Sequence, residues 1–246
     1  MTEMKHNPDI HPTAKIGDNA VIHPGAVIGE NAIIGAGAVV YPAARVGAGC
    51  VIGDHAVVGR PPVLGAASTA RAADTDAPLT LGENVRVGAH AVICCDSEIA
   101  GDAIIGDFAL VRERVRIGAG SLVGSFAVVE NDVAIGAHVK IMTRAYITAL
   151  TTIDDHAFIA PCVITTNDNF MGRTEERFKY KGGARIGRGA RVGAGATLLP
   201  NVKIGDEAFV AAASVVTRDV PGATLVMGAP AKPVRPVPEK EKIPPE

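Results

Sequence analysis

An aliphatic side chain recurs at every sixth residue along most of this 246-residue chain. The first run of such positions extends from Ile10 to Val58, the second from Leu81 to Ile159 and the third from Ile186 to Val216. None of these roughly 29 positions is polar. A six-residue period fits neither the 3.6-residue stripe of a helix nor the alternation of a long strand. It favours very short strands joined by tight turns.

Small side chains form a second periodic set. Four residues after each aliphatic stands a small or β-branched residue, such as Ala14, Ala26 or Val115. The residue directly after the aliphatic is often glycine, which tolerates the backbone conformations of tight turns. The two sets predict a prism in which the aliphatics stack rung upon rung. Each coil then contacts its neighbours alone, so stability accumulates along the stack.

The pattern resembles the hexapeptide-repeat left-handed parallel β-helix of trimeric acyltransferases, over roughly Ile10 to Pro236. The resemblance implies an all-β fold with three hexads per coil and little helix. We therefore predict one β-helix domain over residues 1–236, followed by a frayed Pro/charged C-terminal tail over 237–246. Residues 59–78 and 166–183 leave the repeat, and we predict that both are excursion loops.

Composition argues against several classes of function. The 24 basic and 26 acidic residues nearly balance, and the chain has no Trp, which disfavours nucleic acid as a partner. No 18-residue stretch is free of glycine breaks and charges, so no membrane span is predicted. The polar first ten residues and the adjacent Cys94 and Cys95 indicate neither a secretory signal nor a disulfide framework. These features predict a cytoplasmic protein.

The C-terminal third carries a closer resemblance. The run TTNDNFMGRTEERFK and the ending VTRDVPG…GAPAK lie between Phe158 and Arg235. This stretch is similar to nucleotide-sugar N-acetyltransferases, in particular those that acetylate a dTDP-3-amino-3,6-dideoxyhexose. The resemblance implies acetyl-CoA as co-substrate and a small-molecule nucleotide sugar as acceptor. It also implies a homotrimer with active sites in the clefts between adjacent subunits.

Polar residues of the second excursion are the first site candidates. By resemblance, Asn167 and Asp168 lie at the reacting sugar and Asn169 binds it; the alternative is an Asx-turn that leads the chain out of the coil. Arg173 and Arg177 are candidates to clamp the diphosphate, since a planar guanidinium suits phosphate oxygens. For both arginines the alternative is a solvated loop.

The coenzyme candidates are mainly small residues. A cleft for the pantetheine arm needs small side chains where the arm lies against the coil. Such residues recur about one coil apart at Ala194, Gly195, Ala212 and Ala213, although ordinary coil packing also explains them. After the last coils, Arg218 and Lys232 are candidates to meet the coenzyme phosphates, or else are solvated.

Histidines are the candidates for a general base. His138 and His156 are a coil apart and should stack on one edge; His156 is a candidate base, and a surface corner is the alternative. The His–Asp pair of related sugar acetyltransferases aligns with Ala149 and Leu150. Arg144 stands where the 3-amino-sugar group is expected to carry Asn. We include Arg144 among the catalytic candidates and Glu130 among the substrate-binding candidates. We therefore predict direct attack by a neutral amine on the thioester, without an indispensable base.

Four alternatives compete with this prediction. A γ-type carbonic anhydrase needs two zinc-binding histidines close together, which this chain does not show in mid-helix, so no metal is predicted. A non-enzymatic β-helix scaffold has little use for the TNDN run. Other acceptors, such as UDP-amino sugars or lipid A precursors, would keep the acyltransferase class. A serine or tetrahydrodipicolinate acetyltransferase is less favoured because such enzymes usually carry a helical N-terminal domain.

Overall fold

The computed structural model describes residues 7–66, 68, 70, 74 and 76–244. The chain winds through three sheets, here named A, B and C, and as far as Val215–Val216 neighbouring strands of a sheet are parallel and lie three places apart in chain order. Ile104 pairs with Leu122 and Ile105 with Val123, a register shift of one coil. This all-β parallel solenoid confirms the predicted hexapeptide-repeat β-helix, with almost no helix.

Most strands are two residues long. Sheet A comprises Asp9–Ile10, Val27–Ile28, Arg45–Val46, Leu79–Leu81, Ser97–Ile99, Arg116–Ile117, Ala134–Ile135, Thr152–Ile153, Arg185–Ile186 and Lys203–Ile204. Sheet B comprises Lys15–Ile16, Ile33–Ile34, Val51–Ile52, Arg86–Val87, Ile104–Ile105, Leu122–Val123, Lys140–Ile141, Phe158–Ile159, Arg191–Val192, Phe209–Val210, Thr224–Met227 and the antiparallel Lys232–Pro236. Sheet C comprises Val21–Ile22, Val39–Val40, Val57–Arg60, Val92–Cys94, Leu110–Val111, Val128–Val129, Tyr146–Ile147, Ile164–Thr165, Thr197–Leu198 and Val215–Val216.

The repeat places the core. In a typical strand, such as Arg116–Ile117, the first residue is exposed and the second is buried. The inward aliphatics form one continuous core with the small residues of the second set, of which Ala103 is completely buried. Each buried aliphatic contributes about 1.5–3 kcal/mol by leaving water, most of which offsets the entropy of ordering the chain.

Tight turns make three corners, named by the sheets they join: A–B, B–C and C–A. One residue of most turns has a left-handed backbone, for example Asn31 (φ 54°) and Phe126 (φ 59°). Glycine is required where coils approach closely: a Cβ on Gly118 would lie 2.4 Å from the carbonyl carbon of Gly136. The corners therefore stack in straight columns along the solenoid.

Two excursions and the C-terminal segment interrupt this regularity. Gly59 and Arg60, assigned to the first excursion from sequence, belong to a strand of sheet C. The second excursion contains a short helix, Arg177–Tyr180. Beyond Pro236, a 3-10 helix, Glu239–Glu241, places Glu241 3.3 Å from Arg191. Val237 is buried, so residues 237–244 are held against the solenoid rather than frayed as their composition predicts.

Candidate active site

A cavity of about 420 Å³ opens at the C–A corner, beside the second excursion. Both excursions reach it: the first through Ser68 and Ala70, the second through Asn167, Phe178 and Lys181. The coils between them supply the remaining lining residues, Arg112, Glu130, Asn131, Asp132, Tyr146, Thr148, Ala149 and Leu150. Carboxylate, guanidinium, ammonium, amide and phenol groups thus line one open cavity.

A charged clasp joins two coils at the floor of this cavity. We define it as Arg112, Glu113 and Arg114 of one coil with Glu130 and Asp132 of the next. Arg112 donates through Nε and Nη2 to the two oxygens of Glu113, at 3.1 and 3.0 Å. Its Nη1 donates to Oε2 of Glu130 at 3.1 Å. Arg112 therefore bridges a buried carboxylate and one that faces the cavity.

Burial sets the electrostatics around the clasp. The Glu113 side chain is fully buried, whereas that of Glu130 is 20% exposed. Burial, and then the negative charge of Glu130, raises the pKa of Tyr146 above its usual value. Burial and the charge of Glu113 raise the pKa of the Cys94 thiol to about 11. Tyr146 therefore stays a neutral hydrogen-bonding group, and Cys94 stays a protonated thiol.

The TNDN run builds the second excursion and its wall of the cavity. Asn167 donates weakly to the carbonyl of Ala149 at 3.5 Å. Asp168 accepts the backbone N–H groups of Phe170 at 2.8 Å and Gly172 at 2.9 Å. These two hydrogen bonds, followed by the charge of Arg177, lower the pKa of Asp168. The Asp168 carboxylate is thus turned into its own loop, in the Asx-turn arrangement that sequence left as the alternative.

The cations of the second excursion have separate roles. Arg177 lies 3.6 Å from Asp168 and stacks at 4.7 Å over the Phe178 ring, so it holds the loop together. Arg173 and Asn169 are exposed at the loop surface. Of the predicted site residues, Glu130 and Asn167 both line the cavity. Arg173 and Asn169 do not line it.

The four small residues predicted to line the coenzyme site share one corner. Ala194, Gly195, Ala212 and Ala213 are exposed at the B–C corner, on adjacent coils joined by the Ala213 N–H to the Ala194 carbonyl at 2.8 Å. Arg144 lies in the same column, with its guanidinium 5.8 Å from the centre of the Phe126 ring. Large side chains thus give way to small ones along this corner, which leaves space beside the last coils.

The remaining candidates lie elsewhere. His138 and His156 stack with their ring centres 5.1 Å apart at the A–B corner, which confirms the predicted column. Arg218 and Lys232 are exposed after the last coils. Within one chain, the predicted catalytic set is therefore divided: Asn167 and Asp168 lie at the C–A corner, Arg144 at B–C and His156 at A–B.

The described residues contain no group of three or more His, Cys, Asp or Glu side chains placed to hold a metal ion. Within the same ranges, no helix has the length and hydrophobicity needed to span a bilayer. Cys162 is exposed at the B–C corner with φ 60°.

The cavity residues Arg112 and Tyr146 were not among the predicted site residues, nor was the buried Glu113 that pairs with Arg112. The signal for Arg112 and Glu113 was the spacing between two charged runs, Arg-Glu-Arg at 112–114 and Glu-Asn-Asp at 130–132, which are one coil apart. A one-coil spacing stacks side chains at the same corner. Runs of opposite charge at that spacing therefore predict ion pairs between coils.

Comparison with known proteins supports the repeat in two stretches of the chain. Residues 26–60 and 183–218 match the bacterial transferase hexapeptide family (six repeats). Serine acetyltransferase 2 of Arabidopsis thaliana is 47% identical over 57 residues, covering 23% of this chain and 18% of that protein. A 2,3,4,5-tetrahydropyridine-2,6-dicarboxylate N-acetyltransferase of Clostridium perfringens is 51% identical over 51 residues, covering 21% and 22%.

Among solved structures, LpxA from Acinetobacter baumannii is similar to this chain. It has 22% identity and a TM-score of 0.48, and the match covers 92% of this chain and 73% of that one. The chain spans about a fifth of the length of the two curated relatives named above. It is thus a hexapeptide-repeat protein with acetyltransferase relatives.

Proposed function

We propose that this hexapeptide-repeat protein is an acetyl-CoA-dependent N-acetyltransferase that acts on the amino group of a nucleotide-linked amino sugar. The acceptor class we propose is a dTDP-3-amino-3,6-dideoxyhexose. The proposal combines an acceptor cavity at the C–A corner with a coenzyme groove at the B–C corner. No metal takes part in the proposed reaction.

One observation carries the acceptor side. Excursions from two different coils meet at one cavity, and polar groups of both charges line it. A scaffold would need neither the excursions nor the buried charges, because neutral turns such as Tyr41-Pro42-Ala43 and Thr148-Ala149-Leu150 close the same corner on other coils. The volume of about 420 Å³ lies within the range of small-molecule sites. Lys181 and Asn167 suit the phosphate and hydroxyl groups of a nucleotide sugar.

The donor side rests on the B–C corner. The exposed small residues Ala194, Gly195 and Ala213 leave room for a narrow chain to lie against the coils. Peptide groups recur there once per coil, so they provide polar partners at regular spacing. The relatives named as acetyltransferases support an acetyl donor. Arg218 and Lys232 are the proposed contacts of the coenzyme phosphates.

The proposed chemistry is direct aminolysis of the thioester. The lone pair of the neutral amine attacks the acetyl carbonyl carbon, a C–N bond forms and the C–S bond breaks. The proton lost from nitrogen passes to the departing thiolate, which yields the amide and free CoA. The enzyme contributes by holding both substrates in line, so no side chain serves as an indispensable base.

We further propose a homotrimer whose active sites lie between neighbouring chains. The outward side chains of sheet C support this, since they are mostly Val, Leu and Ile; Val21 and Ile164 are 48% and 45% exposed. Sheet C lies between the B–C and C–A corners, so a copy packed there would border both the groove and the cavity. All four cysteines lie in the described ranges and are unpaired, which supports the cytoplasm as the proposed compartment.

The test is thiol release from acetyl-CoA with a panel of dTDP- and UDP-linked 3-amino and 4-amino sugars. Turnover with a dTDP-3-amino sugar, and none without acceptor, is the expected result. If no sugar of the panel causes thiol release while calorimetry still detects CoA binding, the acceptor assignment is overturned. Failure to bind CoA would overturn the enzyme assignment, and a monomeric mass by light scattering would overturn the trimer.

A further inference from the structure

We propose that Glu130 holds the reacting amine of the acceptor, and that Arg112 and Glu113 are positioning residues that fix its carboxylate in the cavity. The inference rests on the proposed function and names the amine subsite within it. It concerns the acceptor side alone and requires nothing of the coenzyme groove.

The charged clasp is not needed to close the corner. The same C–A turn is made by Tyr41-Pro42-Ala43 one coil before the first excursion, and by Thr148-Ala149-Leu150 one coil after Glu130. These neutral turns build equivalent rungs. A buried ion pair costs desolvation and is often no more stabilising than a well-packed apolar pair. The clasp therefore requires an explanation other than folding.

The geometry of Arg112 supplies that explanation. Two of its nitrogens are committed to Glu113, whose side chain is fully buried and cannot move into solvent. The guanidinium plane is thereby fixed, and its remaining Nη1 directs a 3.1 Å hydrogen bond at Oε2 of Glu130. A planar guanidinium held along one edge positions a second carboxylate far more narrowly than a flexible Lys would.

Glu130 is the cavity carboxylate that can accept a further hydrogen bond. Among the described lining residues the other carboxylate is Asp132, which accepts two hydrogen bonds from Arg114 and one from Asn131. Outside the lining, Asp168 is engaged by its own loop. Glu130 accepts a hydrogen bond from Arg112 and another from the phenol of Tyr146, and its side chain remains partly exposed to the cavity. A carboxylate has about four lone-pair sites, so two partners leave room for an amine.

A carboxylate at this point selects nitrogen over oxygen. A neutral amine has two N–H groups and a lone pair, so one N–H can donate to Glu130 while the lone pair faces the thioester. An ammonium group is also attracted, by charge, and binds there before it loses its proton. A hydroxyl can also donate a hydrogen bond to Glu130, but it carries no positive charge to strengthen that interaction. The site is thus expected to bind an amino sugar more tightly than its hydroxyl counterpart.

The experiment measures that preference directly, by calorimetric binding of a dTDP-3-amino-3,6-dideoxyhexose and of its 3-hydroxy counterpart. The variants are Glu130→Gln and the double change Arg112→Met/Glu113→Leu, which replaces the buried pair by apolar groups. Arg116→Gln is the matched control, because Arg116 is exposed on the outer face of sheet A. Steady-state kinetics on the same proteins separate the KM of each substrate from kcat.

We expect the wild type to favour the amine by about tenfold or more, the scale of one hydrogen bond to a charged group. Glu130→Gln should reduce the preference to about threefold or less, and the double variant should lie between, with an unchanged KM for acetyl-CoA. Arg116→Gln should match the wild type. If the double variant does not fold, Glu130→Gln still decides the question.

The outcomes separate the two proposals. Equal binding of amine and hydroxyl ligands by the wild type, or an unchanged preference in Glu130→Gln, would overturn the amine subsite while the acetyltransferase stands. Absence of binding of either nucleotide sugar would overturn the proposed acceptor and the subsite together. A preference lost in Glu130→Gln but kept in the folded double variant would overturn the positioning role of Arg112 and Glu113.

Discussion

Arg114 and Asp132 form a bidentate ion pair between two successive coils. Arg114 Nε donates to Oδ1 of Asp132 at 2.6 Å and Nη2 donates to Oδ2 at 2.9 Å. The Arg114 side chain is only 8% exposed, and that of Asp132 is 29% exposed. Hydrogen bonding to Asp132 raises the pKa of Arg114 further above its usual value, so the guanidinium remains charged inside the corner.

Removal of Asp132 should therefore destabilise the solenoid. Asp132→Ala leaves the buried Arg114 charge without its main partner, and breaking such a pair costs about 3 kcal/mol or more. The double variant Arg114→Met/Asp132→Leu should recover most of that loss, since it removes both charges. Urea unfolding measures both free energies. A double variant as unstable as Asp132→Ala would show that the pair itself contributes net stability.

The coenzyme groove can be tested by placing a large side chain in it. Ala213→Phe puts a ring where the pantetheine arm is proposed to lie, so the KM for acetyl-CoA should rise by about tenfold or more, the equivalent of roughly 1.4 kcal/mol. The fold should tolerate the change, because Phe126 occupies the same corner position with nearly the same backbone, φ 59° against 57°. Thermal unfolding checks that expectation.

His90→Phe is the control for Ala213→Phe. It introduces the same ring at the same corner, at φ 58°, but on a coil far from the proposed groove. His90 already stacks on Phe108 with 4.8 Å between ring centres. The KM for acetyl-CoA should stay unchanged in this variant. Equal effects of the two substitutions would mean that the ring acts through the corner as a whole, and would contradict the groove.

The sequence predicted the coil interior well because the repeat is strictly local. An inward residue such as Ile105 and its partner Val123 are one coil apart, so their spacing encodes both pairing and burial. The ends of the excursions were less predictable. Gly59 and Arg60 extend a sheet C strand, in which Arg60 pairs with Cys94 across a register shift, a contact that depends on where the chain returns rather than on composition.

The site was predicted in part, for a related reason. Glu130 and Asn167 were identified as site residues and do meet in one cavity, but Arg112 and Tyr146 were not identified. The TNDN motif marks the excursion, yet whether Asp168 faces a ligand or its own loop depends on backbone amides. The two amides that decide it, those of Phe170 and Gly172, carry no signal in the residue type.

His156 provides a test of the reaction mechanism. Its ring stacks on His138 at the A–B corner, whereas the cavity opens at the C–A corner. Direct attack by the amine needs no base, so His156→Ala should keep kcat/KM within about tenfold of the wild type, below the 10²–10⁴-fold that a general base contributes. The pH profile should also keep its shape. A loss of about 10³-fold together with a changed profile would instead make His156 the base.

The pH dependence of the second excursion follows from Asp168. Its pKa is lowered from 3.8, first by the N–H groups of Gly172 and Phe170 and then by Arg177, so the charged form is favoured in the folded loop. A lowered pKa means that this stabilisation is present above pH 3.8 and is lost as pH falls through the lower, native value.

The amide NMR signals of Phe170 and Gly172 should therefore titrate together, with a midpoint below 3.8. The amide of Arg173 is the internal control, since it donates to the Phe170 carbonyl at 3.0 Å rather than to a carboxylate. It should shift far less. Asp168→Asn should abolish the shared transition and weaken acceptor binding, because the loop that carries Phe178 and Lys181 loses its charged anchor. A midpoint at or above 3.8 would show that the carboxylate is not held by its loop.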